Sequence, residues 1–137
     1  MKLIFTTPGP VANTICDDSL SPPIRGMLQD LSGSAKIQTE PVYNGATEVD
    51  YPRGNVGGTF SLVTQCSYAS YNAVDLAITA ACALLGSQGS LVFTPITGAT
   101  DTLTFANAVL KEIKAQRLNG VELYLAYTFK TTSLTSP

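Results

Sequence analysis

Histidine and tryptophan are both missing from this chain of 137 residues. Without histidine there is no Ser-His-Asp arrangement and no Cys-His nucleophile. The commonest general acid or base is lost as well. Charge is also scarce. Asp, Glu, Lys and Arg make up 13% of the chain and the net charge is −2, where an ordinary domain carries about 25% charged residues. The one small basic cluster, Lys111, Lys114 and Arg117, is interrupted by Glu112. Sequence-specific nucleic-acid binding is therefore not expected.

Long hydrophobic runs are absent too. The longest, Ala73 to Leu85, carries Asp75 and falls short of the roughly 20 residues that span a bilayer. The opening MKLIFTTPGPVANT has too short an apolar core for a signal peptide. The chain is expected to stay in the cytosol until it assembles, with no membrane partner. Cysteine is sparse: Cys16, Cys66 and Cys82 are an odd set with no metal-type spacing. Buried free thiols acting as small hydrophobes are expected, with no cofactor and no metal site.

What is present is β pattern. Lys2 to Thr6 suits a short strand, broken by Pro8-Gly9-Pro10. Residues 7–34 read as an irregular N-terminal arm or long loop, in which Ile24 to Leu31 could make a helical turn or two. Ala35 to Tyr43 reads as a strand interrupted by Pro41, which suits an edge or a bulge. Asn44-Gly45 is a tight-turn signal. Glu48 to Gly58 carries Pro52, Gly54, Gly57 and Gly58 and reads as a mobile loop.

The clearest strand is Gly58 to Tyr68. Phe60, Leu62, Thr64 and Cys66 share one face, and Ser61, Val63, Gln65 and Ser67 the other, the pattern of a sheet with one side on a core. A helix over about 71–85 follows. Ser70 or Asn72 can cap it, Asp75 falls in its first turn, and Gly86 ends it. Val74, Ile78, Ala81 and Leu85 make its apolar face. Ala77, Ala80 and Ala83 would let another surface approach closely. Ser90 to Ile96 and Thr102 to Ala106 suggest one hairpin. Val109 to Arg117 and Val121 to Lys130, joined through Asn119-Gly120, suggest a stronger one. Val121, Leu123, Leu125, Tyr127 and Phe129 share one face of the return strand. The tail 131–137 reads as loose. The sum is a single domain over 1–137, mainly β: an antiparallel β-sandwich or barrel with one main flanking helix.

Three features invite chemistry, each beside a plainer explanation. Asp17-Asp18 could hold a cation with Glu40, Glu48 or Asp50, or be a solvated turn; no ligand loop surrounds it. Gly54-Asn55-Val56-Gly57-Gly58 has the glycines of a phosphate loop. It precedes a strand, however, where such a loop should follow one and open a helix, and no Lys-Ser or Lys-Thr comes after it. Tyr43, Tyr51, Tyr68, Tyr71 and Tyr124 could stack on carbohydrate, or bridge core and surface as tyrosines commonly do.

The order of segments carries a resemblance. A Pro-Arg-Gly-Asn loop leads into GTFSLVTQ. The helix SYNAVDLAITAACALLG follows, then GSLVFTPITG and a hairpin ending VELYLAYTFK. This layout, over residues 36 to 130, resembles small bacteriophage virion proteins of the tail-tube and baseplate-hub kind. The resemblance implies a non-enzymatic structural component of the virion tail, made in the host cytoplasm. It also implies rings of copies of itself, commonly six, docked on neighbouring virion tail or connector proteins. The candidate subunit-contact loop is Pro52, Arg53, Gly54, Asn55 and Gly57, with the segment Pro8 to Ser34 beside it. A soluble carbohydrate-binding module and a capsid decoration protein are the alternatives.

Overall fold

The computed structural model describes the backbone of residues 1–41, 48–96, 98, 100–118 and 121–135. The strands are β1 (Lys2–Thr7), β2 (Val11–Asp17), β3 (Arg25–Pro41), β4 (Glu48–Ser67), β5 (Gln88–Thr94), β6 (Leu103–Leu118) and β7 (Glu122–Thr135). Helix α1 (Tyr71–Cys82) links β4 to β5. All seven strands lie in one antiparallel sheet, in the order β2-β1-β5-β6-β7-β4-β3.

That sheet is curled, and the phenylalanines show it. Phe5 in β1 and Phe129 in β7 have ring centroids 5.2 Å apart, and Phe60 in β4 and Phe93 in β5 are 5.3 Å apart. Each pair sits three strand positions apart in the sheet order, which in a flat sheet is roughly 14 Å. The inner face has closed on itself around these rings. At the seam the outermost strands meet, with Asp17 at the end of β2 bridging Ile24 just before β3. Of the two architectures expected, the barrel-like one forms: there is no second sheet among the described residues.

The alternation expected for β4 and β7 holds. Phe60, Leu62, Thr64 and Cys66 are buried, as are Leu123, Leu125, Tyr127 and Phe129. All of these but Thr64 and Cys66 join Leu3, Phe5, Leu91, Phe105 and Leu110 in one core cluster. Fully burying each such large apolar side chain contributes about 1.5–3 kcal/mol.

Helix α1 starts where its cap allows. Ser70 is extended, and its Oγ accepts from the Ala73 N–H at 3.2 Å. Asp75 therefore lies beyond the first turn, not within it, and it pairs with Arg117 of β6 instead. The helix ends at Cys82, short of Leu85. Leu84 N–H donates to Ala81 O and Leu85 N–H to Cys82 O, three-residue bonds that tighten the last turn and leave Leu85 exposed.

Other expectations are corrected. Residues 7–34 are not an irregular arm. β2 folds back on β1 from Thr7↔Val11, and β3 begins at Arg25. The stretch Ile24 to Leu31 is extended, not helical, because β4 supplies a row of backbone partners from Arg25↔Gln65 to Leu31↔Phe60, interrupted only by a bulge at Gln29. Thr102–Ala106 and Val109–Arg117 form one strand, β6. Register shifts near Asn107 and between Leu110 and Glu112 let it bend across the barrel. The tail is strand through Thr135, paired to Thr104; Ser136 and Pro137 lie outside the described residues, as do the Asn44-Gly45 and Asn119-Gly120 turns. Cys16 and Cys66 are buried as expected, whereas Cys82 is exposed.

Candidate functional site: a projecting ribbon and a helix-walled cleft

Glu48 to Gly58 is not a loop. It is the first half of β4, and the candidate contact residues Pro52, Arg53, Gly54, Asn55 and Gly57 lie within it. Pro52 pairs with Ile37, Asn55 with Ala35 and Gly57 with Ser34. The register shifts on either side of Ala35, so Val56 and one of the pair Arg53-Gly54 are the extra residues of bulges. Proline and glycine are tolerated there for a physical reason. Pairing of β4 with β7 starts only at Gly58↔Thr131. Before it, β4 is an edge, where a missing N–H breaks no second ladder. The composition that suggests a loop is here the composition of a bulged edge strand.

The consequence is a two-stranded ribbon. Residues 33–41 and 48–57 pair with each other, and among the described residues no other strand pairs with them. At about 3.3 Å per residue, the nine residues on the β3 side extend roughly 30 Å. Both outer edges carry backbone N–H and C=O groups without ladder partners, the usual template for pairing with another chain.

The second feature is a half-open cleft of about 360 Å³. Its floor is the inner face of the sheet, with Thr64, Leu125 and Tyr127. One wall is β2, through Asn13 and Ile15, and the other is helix α1, through Ala77, Ala80 and Ala81, with Leu84 just past its end. The void exists because the helix turns alanines toward the sheet while Leu76 points outward, 62% exposed. Thr64 Oγ1 donates to Leu125 O at 3.4 Å. Burial pushes the Tyr68 hydroxyl up to about 12, with the neighbouring Cys66 thiol adding to the effect. Burial raises Cys66 and Tyr127 as well. Every polar group at the cleft is therefore neutral at physiological pH. The alanines were visible in the sequence; the space they leave was not.

The remaining candidates disperse. Asp17 Oδ1 accepts from the Ser19 N–H at 2.9 Å and the Ser19 hydroxyl at 2.6 Å, and Lys2 stands 3.8 Å from its other oxygen. Asp18 pairs with the Met1 ammonium at 3.0 Å. Among the described residues no group of three potential ligands is placed to hold a metal; the side chains of Glu40, Glu48 and Asp50 lie outside them. The glycines at 54, 57 and 58 are in a strand, so the phosphate-loop geometry does not form. Tyr71 is exposed on the helix, Tyr124 is half-buried on the outer face of β7, and Tyr68 lines the cleft. They share no face; the side chains of Tyr43 and Tyr51 lie outside the described residues. Among the described residues no helix is long and apolar enough to cross a membrane. Compared with models of protein families and with curated protein sequences, the chain matches none.

Proposed function

We propose that this chain is a structural subunit of a bacteriophage virion tail, of the tube, hub or connector kind, and not an enzyme. It assembles with copies of itself into a ring, six being the number the sequence resemblance implies, and docks on neighbouring tail proteins. The observation that carries this reading is the ribbon of residues 33–57. An isolated two-stranded ribbon is marginally stable in water, so one of this length gains from being covered. Its edges provide one surface and the body of the barrel another. Two different surfaces meeting head to tail are what ring closure requires. The low charge of the chain agrees, since few charged groups need desolvating in such contacts.

The test is a mass measurement on the purified chain, paired with negative-stain imaging. The expected result is a discrete ring. Replacing residues 35–56 by Asn-Gly joins Ser34 to Gly57 through a two-residue turn and keeps the barrel. The shortened chain is expected to fold and remain monomeric. A full-length chain that stays monomeric at high micromolar concentration overturns the reading, as does a shortened chain that still forms the ring.

A further inference from the structure

The cleft between β2 and helix α1 has a chemistry of its own, independent of the ribbon. Protein interiors pack to near-crystalline density and leave few voids larger than a water. A space of about 360 Å³ lies within the range of small-molecule pockets, roughly 300–1,000 Å³. It is not a packing accident at one residue, because Ala77, Ala80 and Ala81 all present small side chains to it. Leucine is available on the same helix, and Leu76 is spent on solvent.

We infer that this cleft binds a small, uncharged, amphipathic molecule, an apolar ring or chain carrying a hydroxyl. The size follows from proportion. A dry apolar cavity of about 150 Å³ holds benzene, so this one takes on the order of a dozen heavy atoms, a fused bicycle or a chain of similar bulk. The absence of charge follows from the walls. Among the described residues no Asp, Glu, Lys or Arg lines the cleft, and an ion placed there would lose its hydration without a counter-charge. An apolar part would meet Ile15, Leu84, Leu123 and Leu125, against which water is readily displaced, while Asn13 and Thr14 with the hydroxyl groups make the lining as polar as it is apolar. The hydroxyl has partners in Tyr68, Tyr127 and Thr64, whose side chains all line the cleft.

The probe is 2-naphthol, which has eleven heavy atoms, one hydroxyl and its own fluorescence. Titrated into the full chain at pH 7, it is expected to saturate at one molecule per chain. Naphthalene-2-sulfonate, the same ring system with a charge, is expected to bind at least tenfold more weakly. Ala80→Leu places a good helix former at an exposed helix position and blocks the cleft. It is expected to weaken 2-naphthol at least tenfold while circular dichroism and the thermal midpoint stay intact. Ala77→Leu, filling the cleft from the next turn, is the second variant should the first fail to fold. Lack of saturation, equal binding of the sulfonate, or unchanged affinity in a folded variant overturns the inference. So does 2-naphthol binding to dissociated chains but not to assembled ones, which would give the cleft to a neighbouring copy.

Discussion

A Cβ on Gly26 of β3 would stand 2.8 Å from the Sγ of Cys16 in β2. These two residues bring the outer strands of the sheet together at the seam, and only the smallest side chain leaves room for that approach. Met1 Sδ would be 3.0 Å away, but it is the end of a flexible side chain and can move. Cys16 is fully buried and cannot. Gly26→Ala is therefore expected to destabilise the chain by about 1–3 kcal/mol, the usual cost of overpacking. The double variant Gly26→Ala with Cys16→Ala should cost less than the sum of the two singles. Urea denaturation of all four proteins checks this; additive effects would mean that the seam is looser than the contact implies.

Phe60 touches the rings of Phe93, Phe105 and Phe129 at centroid distances of 5.3, 5.8 and 6.4 Å. It joins four strands through one side chain. Phe60→Ala should cost about 3–5 kcal/mol, with the cavity left behind adding to the lost burial. Phe60→Leu should cost clearly less, because most of the volume stays. Thermal and urea unfolding would read the difference.

Stability should fall at both ends of the pH range, for different groups. The hydroxyl and N–H of Ser19, with Lys2 further off, hold the Asp17 carboxyl below the usual carboxylate range. A depressed acid stabilises the fold above its unfolded pKa of about 4. That contribution is lost as pH drops through the lower folded value. Asp17→Asn should flatten the acid limb below about pH 4 in denaturant titrations. Burial raises the Cys16 thiol from 9.0 to about 11. A raised acid has the opposite sign: stability is complete below about pH 9 and declines up to about 11, by roughly 2–3 kcal/mol for that shift. Cys16→Ala should flatten that alkaline decline, leaving the part due to Tyr127 and Tyr68.

The three thiols should separate kinetically. Cys82 is exposed while Cys16 and Cys66 are buried. A thiol reagent such as Ellman's should titrate one cysteine per folded chain within minutes, and all three after denaturation. Cys82→Ser should abolish the fast phase with little change in stability. Two fast thiols in the native protein would place Cys66 at the surface and open the cleft far wider than described.

Period-two alternation identified the inner faces of β4 and β7 from the sequence, because a strand with one buried side must alternate whatever it packs against. A cap at Ser70 or Asn72 was equally legible, since it depends on atoms within three residues, and the structure takes Ser70. The sequence alone did not distinguish a loop from a bulged edge strand at Pro52 to Gly57, because proline and glycine suit both and the difference lies in whether Ser34 to Ile37 stands opposite. Nor did it show Arg25 to Leu31 as a strand: local preference there is weak, and the backbone of β4 decides. The cleft and the seam at Gly26 belong wholly to the tertiary structure, because curling the sheet brings strands from its opposite edges within a few ångströms. What each face is made of is written locally; which faces meet, and what space they leave, is fixed only when the sheet closes.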